Sequence, residues 1–190
     1  MKKIKALILL ISILIIFIIY KGNNNHNIRY INISDKIFNY NYNDYLKDKL
    51  LLQDKLDYYI NINKNNLTIN DIYNMILLNK SFKTNKGNIS IKRALRESII
   101  TLSIGNNDII LEESLKDSNK VNKVYKKYKE LIKEINKYNS KIYIIETNNK
   151  KLNNKIKRYI RKTDNIIIDN NINYKNINII LTNNVDKIKK

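Results

Sequence analysis

The chain has 190 residues and a formal net charge of +19, with 36 Lys and Arg against 17 Asp and Glu. This length suits one domain of ordinary size with its own core. The absence of cysteine excludes disulfides, zinc–thiolate sites and thiol nucleophiles, and the single histidine, His26, excludes a His-rich metal site. The positive charge favours anionic partners such as acidic lipid headgroups or wall polymers. Codon use in an AT-rich genome would enrich lysine in the same way.

The N-terminus carries an apolar run over residues 6–20, interrupted by Ser12 and preceded by three lysines. With Ile4 included and Lys5 snorkelling, residues 4–20 reach the lower limit of about 17 residues for a membrane-spanning helix. No small-x-small cleavage site follows, and the lysines before the run outnumber the one after it. We therefore expect residues 1–21 to be an uncleaved single-pass signal anchor that leaves the domain on the extracytoplasmic side. A cleaved signal peptide and a secreted domain are the alternative.

Residues 22–27 are predicted to be a short polar linker, and residues 28–190 to form the folded domain. Along the domain, short β-branched segments alternate with segments whose apolar residues have helical spacing. The predicted strands are residues 28–33, 56–62, 98–104, 141–146 and 165–169. The predicted helices are residues 43–52, 69–80, 90–97 with Ser90 as its N-cap, 116–139, 152–161 and a last one from about 183.

This alternation implies right-handed crossovers and a parallel sheet covered on both faces. The predicted fold is a flavodoxin-like three-layer α/β sandwich with five parallel strands in the order 2-1-3-4-5. In such sheets, sites form beyond the carboxyl ends of the strands. We therefore expect functional residues after Ile33, Ile104, Glu146 and Asp169.

One motif stands at the end of the third predicted strand, Leu102-Ser103-Ile104-Gly105-Asn106-Asn107-Asp108. It resembles the third sequence block of SGNH/GDSL hydrolases, a strand that ends in Gly-x-Asn-Asp, and residues 89–104 resemble the approach to that block. The resemblance implies that Asn107 donates to the oxyanion of an acyl-transfer reaction, where a neutral amide stabilises the developing charge. Alternatively, Gly105 merely permits a tight turn and Asn107 caps the next segment.

The residues that match the family's first two blocks depart from its pattern. The family's Gly-Asp-Ser would fall on residues 34–36, where Asp35 is in place, Ser34 replaces the glycine and Lys36 replaces the nucleophilic serine. A protonated lysine cannot attack as an alkoxide does. The second block puts Asn66 at a glycine position, which would keep the backbone N–H but alter the turn.

The family's last block, Asp-x-x-His, would fall near residues 179–183. This match puts Ile180 at the histidine, and Ile177 or Asn178 at the acid. His26 cannot replace the base, because the first strand separates it from the nucleophile position by roughly 20 Å. The resemblance thus implies that serine, histidine and acid are all missing.

These observations predict a membrane-anchored, extracytoplasmic SGNH-like domain that is catalytically inactive and binds or scaffolds a partner. The alternatives are an active esterase with a non-standard site, and a basic surface module for anionic lipid, wall polymer or nucleic acid. No cofactor or metal is expected, since Asp108, Glu112 and Glu113 are interpreted as a solvated turn. Nucleic acid is not expected either, because the tyrosines lie mostly at apolar, core-type positions.

Overall fold

The computed structural model describes residues 28–35, 56–84, 86–112, 116–163 and 165–168. The proposed anchor at residues 1–21, the linker at 22–27, the helix predicted at 43–52 and the helix predicted from 183 lie outside these residues. Within the described parts of the chain, no helix is long and apolar enough to cross a membrane.

The described residues form seven strands and five helices. The strands are β1 (Ile28–Ser34), β2 (Leu56–Asn63), β3 (Ser81–Thr84), β4 (Gly87–Ser90), β5 (Ile99–Ser103), β6 (Lys141–Ile145) and β7 (Ile166–Ile168). The helices are α1 (Ile69–Leu77), α2 (Ile91–Leu95), α3 (Asn106–Leu111), α4 (Asp117–Asn136) and α5 (Lys150–Ile160).

The main sheet has the strand order β2-β1-β5-β6-β7, and every neighbouring pair is parallel. This corresponds to the order 2-1-3-4-5 of a flavodoxin-like sheet. Four strands of five to eight residues form its body, and the three-residue β7 lies at one edge. All five residues of β5 are buried, as in a central strand covered on both faces. The prediction of a parallel α/β fold is confirmed.

Helix α4 covers the sheet with the apolar stripe that its sequence predicted. The buried residues of α4 are Val121, Val124, Tyr128, Leu131, Ile132 and Ile135. Burying each large aliphatic side chain stabilises the fold by about 1.5–3 kcal/mol before the cost of chain entropy. Helix α5 begins at Lys150, two residues earlier than predicted, because the Asn149 side chain accepts from the Leu152 N–H at 2.9 Å and caps it.

Two parts of the chain between α1 and β5 differ from the prediction. Helix α1 ends at Leu77 instead of residue 80, and an antiparallel hairpin of β3 and β4 follows it, which was not predicted. Helix α2 ends at Leu95, before the predicted end at Glu97, whose φ is +54°. Ser90 precedes α2 as expected, but its side chain makes no capping hydrogen bond, so that part of the prediction is wrong.

Candidate functional site

The carboxyl ends of β1, β2 and β5 lie level with one another at one edge of the main sheet. Ser34, the last residue of β1, pairs with Asn63 of β2 on one side and with Ser103 of β5 on the other. Asp35 follows β1, and its backbone N–H donates to the Ser103 carbonyl at 2.9 Å. Residues 34–35 therefore adjoin the Gly-x-Asn-Asp motif of residues 105–108, which opens α3.

The Asp35 carboxylate is buried against the first turn of α3. Its Oδ2 accepts from the backbone N–H groups of Asn106 at 2.8 Å and Asn107 at 3.3 Å, and its Oδ1 lies 3.4 Å from Asn106 Nδ2. The first N–H groups of a helix have no partner inside it and favour negative charge. The Asp35 carboxylate is the acceptor for these N–H groups at the start of α3. The alternative interpretation, in which Asn107 caps the segment after Gly105, is therefore wrong.

Asn107 joins two loops through its side-chain amide. Its Nδ2 donates to the backbone carbonyl of Asp35 at 3.3 Å and to that of Leu67 at 3.1 Å. An amide nitrogen carries two hydrogens, so both are committed to backbone acceptors in this arrangement. An oxyanion would have to displace one of these carbonyls to receive a hydrogen bond from Asn107.

Asp108 is buried, with 1% of its surface exposed, and holds the start of α1. Its Oδ2 accepts from the Ile69 N–H at 3.0 Å. Burial raises the pKa of Asp108 above its ordinary value, while the hydrogen bond from Ile69 and the charge of Lys127 act in the opposite direction. The interpretation of Asp108 as part of a solvated turn is therefore wrong.

Glu112 also differs from a freely solvated turn residue, because it pairs with two lysines of α4. Its carboxylate lies 2.8 Å from Lys123 Nζ and 3.2 Å from Lys127 Nζ. The hydrogen bond from Lys123, followed by that from Lys127, lowers the pKa of Glu112. Glu113 lies outside the described residues. Among the described residues, no group of three or more potential ligand side chains could hold a metal ion.

Asn66 stands in the loop between β2 and α1, at the position that the family fills with glycine. Its φ is +66°, in the left-handed region that asparagine tolerates better than most residues with a side chain. Asparagine at this position therefore adopts a left-handed backbone without a glycine. The loop leads into Thr68, which caps α1 in a reciprocal pair of hydrogen bonds with Asp71.

Gly105 connects β5 to α3 with a φ of +113°, which a residue with a side chain rarely adopts. A Cβ atom at this position would lie 3.6 Å from the ring of Tyr128. The Tyr128 hydroxyl is fully buried and has no hydrogen-bond partner among the residues that the structure describes. Burial raises the pKa of Tyr128, and the charges of Asp35 and Asp108 raise it further. This hydroxyl therefore stays protonated beside the motif.

Ser34 pairs with Ser103 beside the motif, and only 1% of its surface is exposed. A buried hydroxyl at the end of β1 is not presented to a substrate in solution. The remaining positions matched to the family's catalytic residues, Lys36, Ile180 and Ile177 or Asn178, lie outside the described residues, as does His26.

Two residues of this edge were not predicted from the sequence. Asn106 Oδ1 accepts from the Asn148 N–H at 2.9 Å and so joins the loop after β6 to the motif. Asn106 occupies the variable position of Gly-x-Asn-Asp, where the pattern specifies no residue type. Tyr128 belongs to the apolar stripe of α4, where its spacing indicates only packing. Together, residues 106–108 join the loops that follow β1, β2 and β6.

No protein-family model and no curated protein matches this sequence. Among solved structures, the chain is similar to the crystal structure of an acetyl xylan esterase, AlAXEase. The TM-score is 0.55 and the identity 18%, and the match covers 84% of each chain. The two chains therefore share an α/β fold with a parallel sheet.

Proposed function

We propose that this chain is a membrane-anchored, extracytoplasmic SGNH/GDSL-hydrolase-like domain that has no esterase activity and serves a binding or scaffolding role. The observation that carries the proposal is that the polar side chains of the Gly-x-Asn-Asp motif form hydrogen bonds within the protein. Each of Asn106, Asn107 and Asp108 forms hydrogen bonds to a loop that follows another strand of the main sheet. The motif therefore acts as a brace between loops.

The chemistry that an acyl-transfer site requires supports the same proposal. A nucleophile must be exposed and adjacent to a base, and the oxyanion must meet preorganised donors. Ser34 is buried, and both Asn107 amide hydrogens are donated to backbone carbonyls. The residues matched to the nucleophile and the base in the sequence are Lys36 and Ile180.

An esterase assay on the full-length chain tests the proposal. With p-nitrophenyl acetate and acetylated xylan as substrates, we expect turnover indistinguishable from that of a Ser34→Ala variant. A site without its triad retains at most about 10³–10⁴-fold acceleration over water, from binding and the oxyanion hole. A fluorophosphonate, which reports an activated serine, should not label the chain.

The opposite result would favour the active esterase. Stoichiometric labelling of Ser34, together with turnover that the Ser34→Ala variant lacks, would contradict the proposal. Deacetylation of xylan in particular would match the activity for which the similar acetyl xylan esterase is named. Turnover well above the buffer background that is equal in both chains and persists through further purification would also contradict the proposal, because it would require a nucleophile other than Ser34.

Anchoring belongs to the same proposal and rests on the apolar run at residues 4–20 and its flanking lysines. We expect the full-length chain to stay in the membrane fraction after carbonate extraction and to keep an intact N-terminus in mass spectrometry. A mature chain that begins after Tyr20 would instead support the secreted alternative.

A further inference from the structure

A second polar region lies at the opposite, amino edge of the main sheet. Arg29 and Asp57 stand near the starts of β1 and β2, and the β3–β4 hairpin and α2 add Lys86 and Arg93. These residues line a cavity of about 170 Å³. Asp35 follows Arg29 by six positions along and just beyond β1, which corresponds to about 20 Å along a strand. The cavity is therefore separate from the Gly-x-Asn-Asp motif.

The charges in this cavity are only partly paired. Asp57 interacts with Arg29, whose Nε lies 3.5 Å from Oδ2, and with Lys86 Nζ. Arg29 also donates through Nη1 to the Arg96 carbonyl at 2.9 Å, which holds its guanidinium in place. Among the described residues, no carboxylate forms an ion pair with Arg93. Among the described lining residues, three cations thus share one carboxylate, which gives a formal charge of +2.

Of these charges, that of Arg29 is partly sheltered from solvent, whereas Lys86 and Arg93 are exposed. The Arg29 and Asp57 side chains are 34% and 23% exposed, so both lie partly inside the protein. Partly buried charges are screened by salt much less than fully exposed ones. Arginine presents planar, paired donors that match the oxygens of phosphate or carboxylate. The cavity therefore suits an oxyanion that can reach both Arg29 and Arg93.

Charge and size favour phosphate over a carboxylate. A phosphate monoester carries a charge of about −1.5 to −2 at pH 7 and so neutralises the cavity, whereas a carboxylate neutralises half of it. One water takes up about 30 Å³ of liquid. The cavity thus has room for several waters, enough for a phosphate with a small organic group.

We propose that the cavity lined by Arg29, Lys86 and Arg93 binds phosphate, either as the inorganic ion or as a small phosphate monoester. Asp57 holds Arg29 and Lys86 at the wall of the cavity, and Arg93 supplies the unpaired charge. This binding does not depend on whether the carboxyl edge is catalytically active.

Equilibrium dialysis of the full-length chain against labelled inorganic phosphate in about 0.15 M NaCl tests the proposal. We expect saturable binding of one phosphate per chain, and displacement by glycerol phosphate if an ester fits. Arg93→Gln should weaken binding by about tenfold, the usual contribution of one charged hydrogen bond. Arg93 is exposed, so its replacement should leave the fold intact, as circular dichroism would verify.

The matched control is Arg158→Gln, an exposed arginine in the last turn of α5. This variant should bind phosphate within about twofold of the unmodified chain, because surface charges beyond a Debye length are screened. Equal weakening by the two substitutions would show diffuse attraction by the net charge and would overturn the proposal. So would the absence of saturable binding, or displacement by acetate as effective as that by phosphate.

Discussion

The two edges of the main sheet use their charged residues in opposite ways. At the carboxyl edge, Asp35 and Asp108 are 3% and 1% exposed, and each accepts hydrogen bonds from backbone N–H groups. At the amino edge, Asp57 is partly exposed and bonds to the side chains of Arg29 and Lys86 beside an open cavity. The first arrangement holds loops together, while the second leaves positive charge available to a ligand.

This contrast follows from the cost of burying charge. A carboxylate taken out of water must recover its lost hydrogen bonds within the protein. Asp35 recovers them at the start of α3 and Asp108 at the start of α1. Asp35 and Asp108 lie beyond the strand ends, where sites of α/β sheets form. The hydrogen bonds that they accept, however, hold loops in position. Location in an α/β sheet therefore does not by itself identify the binding region.

The largest expected effect comes from removing the two carboxylates in turn. Asp35→Ala leaves two helix N–H groups without their acceptor in a buried place, and should lower the free energy of unfolding by about 3 kcal/mol. Asp57→Ala removes a partly exposed ion pair and should cost less than about 1 kcal/mol. Urea denaturation of both variants gives the two values. Equal costs would contradict the assignment of different roles to the two edges.

The two glycines with positive φ provide the next comparison. Gly105, with a φ of +113°, lies in the buried motif, and Gly87, with a φ of +98°, lies in the exposed hairpin. Strain of this kind costs about 1–3 kcal/mol where the surroundings prevent relaxation. Gly105→Ala should therefore destabilise the fold by about 2 kcal/mol, in the middle of that range. Gly87→Ala should cost less, because a Cβ meets nothing within 4 Å and the hairpin can adjust.

Thermal and urea unfolding of the two alanine variants would test the glycine comparison. A Gly87→Ala cost that exceeds that of Gly105→Ala would show that the hairpin is the more rigid of the two regions. In that case the amino-edge cavity would be preformed to a greater degree than its exposure indicates.

A smaller effect is expected in the pH dependence of stability, through Asp108. Burial raises the pKa of Asp108 above the ordinary 3.8. At pH values between 3.8 and the raised pKa of the folded state, the folded chain binds a proton that the unfolded chain releases. The contribution of Asp108 to stability therefore falls as pH rises through this range. It is constant above the folded-state pKa. Asp108→Asn removes this titration and keeps an oxygen that can accept from the Ile69 N–H.

The measurement is the difference in unfolding free energy between the unmodified chain and Asp108→Asn, from about pH 3.5 to about pH 8. The unmodified chain should lose stability relative to the variant as pH rises, because other titrating groups cancel in the difference. A relative gain with rising pH would mean that the Ile69 hydrogen bond and the Lys127 charge outweigh burial.

Hydrophobic patterning made much of the fold predictable. The strands are short β-branched runs, and the α4 stripe from Val121 to Ile135 has one clear helical face, so both signals are local. The β3–β4 hairpin was missed because its four-residue strands are too polar to show alternation. In the sequence, only Asn85 and Gly87 indicate a turn between these strands.

The site was harder to predict because its character depends on which partner each polar atom finds. The sequence places Asn107 and Asp108 after β5, and the structure agrees. It contains no signal that Leu67 and Ile69 would provide the acceptor and donor, since these are backbone atoms of another loop. For the charged residues at the amino edge, by contrast, the sequence did contain a signal, which the prediction did not use. Arg29 and Asp57 are the charged residues in two otherwise apolar or neutral strands.

The smallest expected effect concerns Lys86 at the amino edge. Its side chain is 56% exposed and pairs with Asp57, so Lys86→Gln should change the free energy of unfolding by less than about 0.5 kcal/mol. Solvent screens such a pair, and about 1 M NaCl should remove most of the difference between variant and unmodified chain. Urea denaturation at low and high salt measures both quantities.

A loss above about 1.5 kcal/mol that persists in high salt is outside the range for an exposed pair. Such a loss would make Lys86 a structural brace like Asp35, and the contrast between the two edges would fail. A change in unfolding free energy near zero would mean that the Lys86 ammonium can leave Asp57 for another anion at little cost. A cavity that binds phosphate requires a cation of this kind.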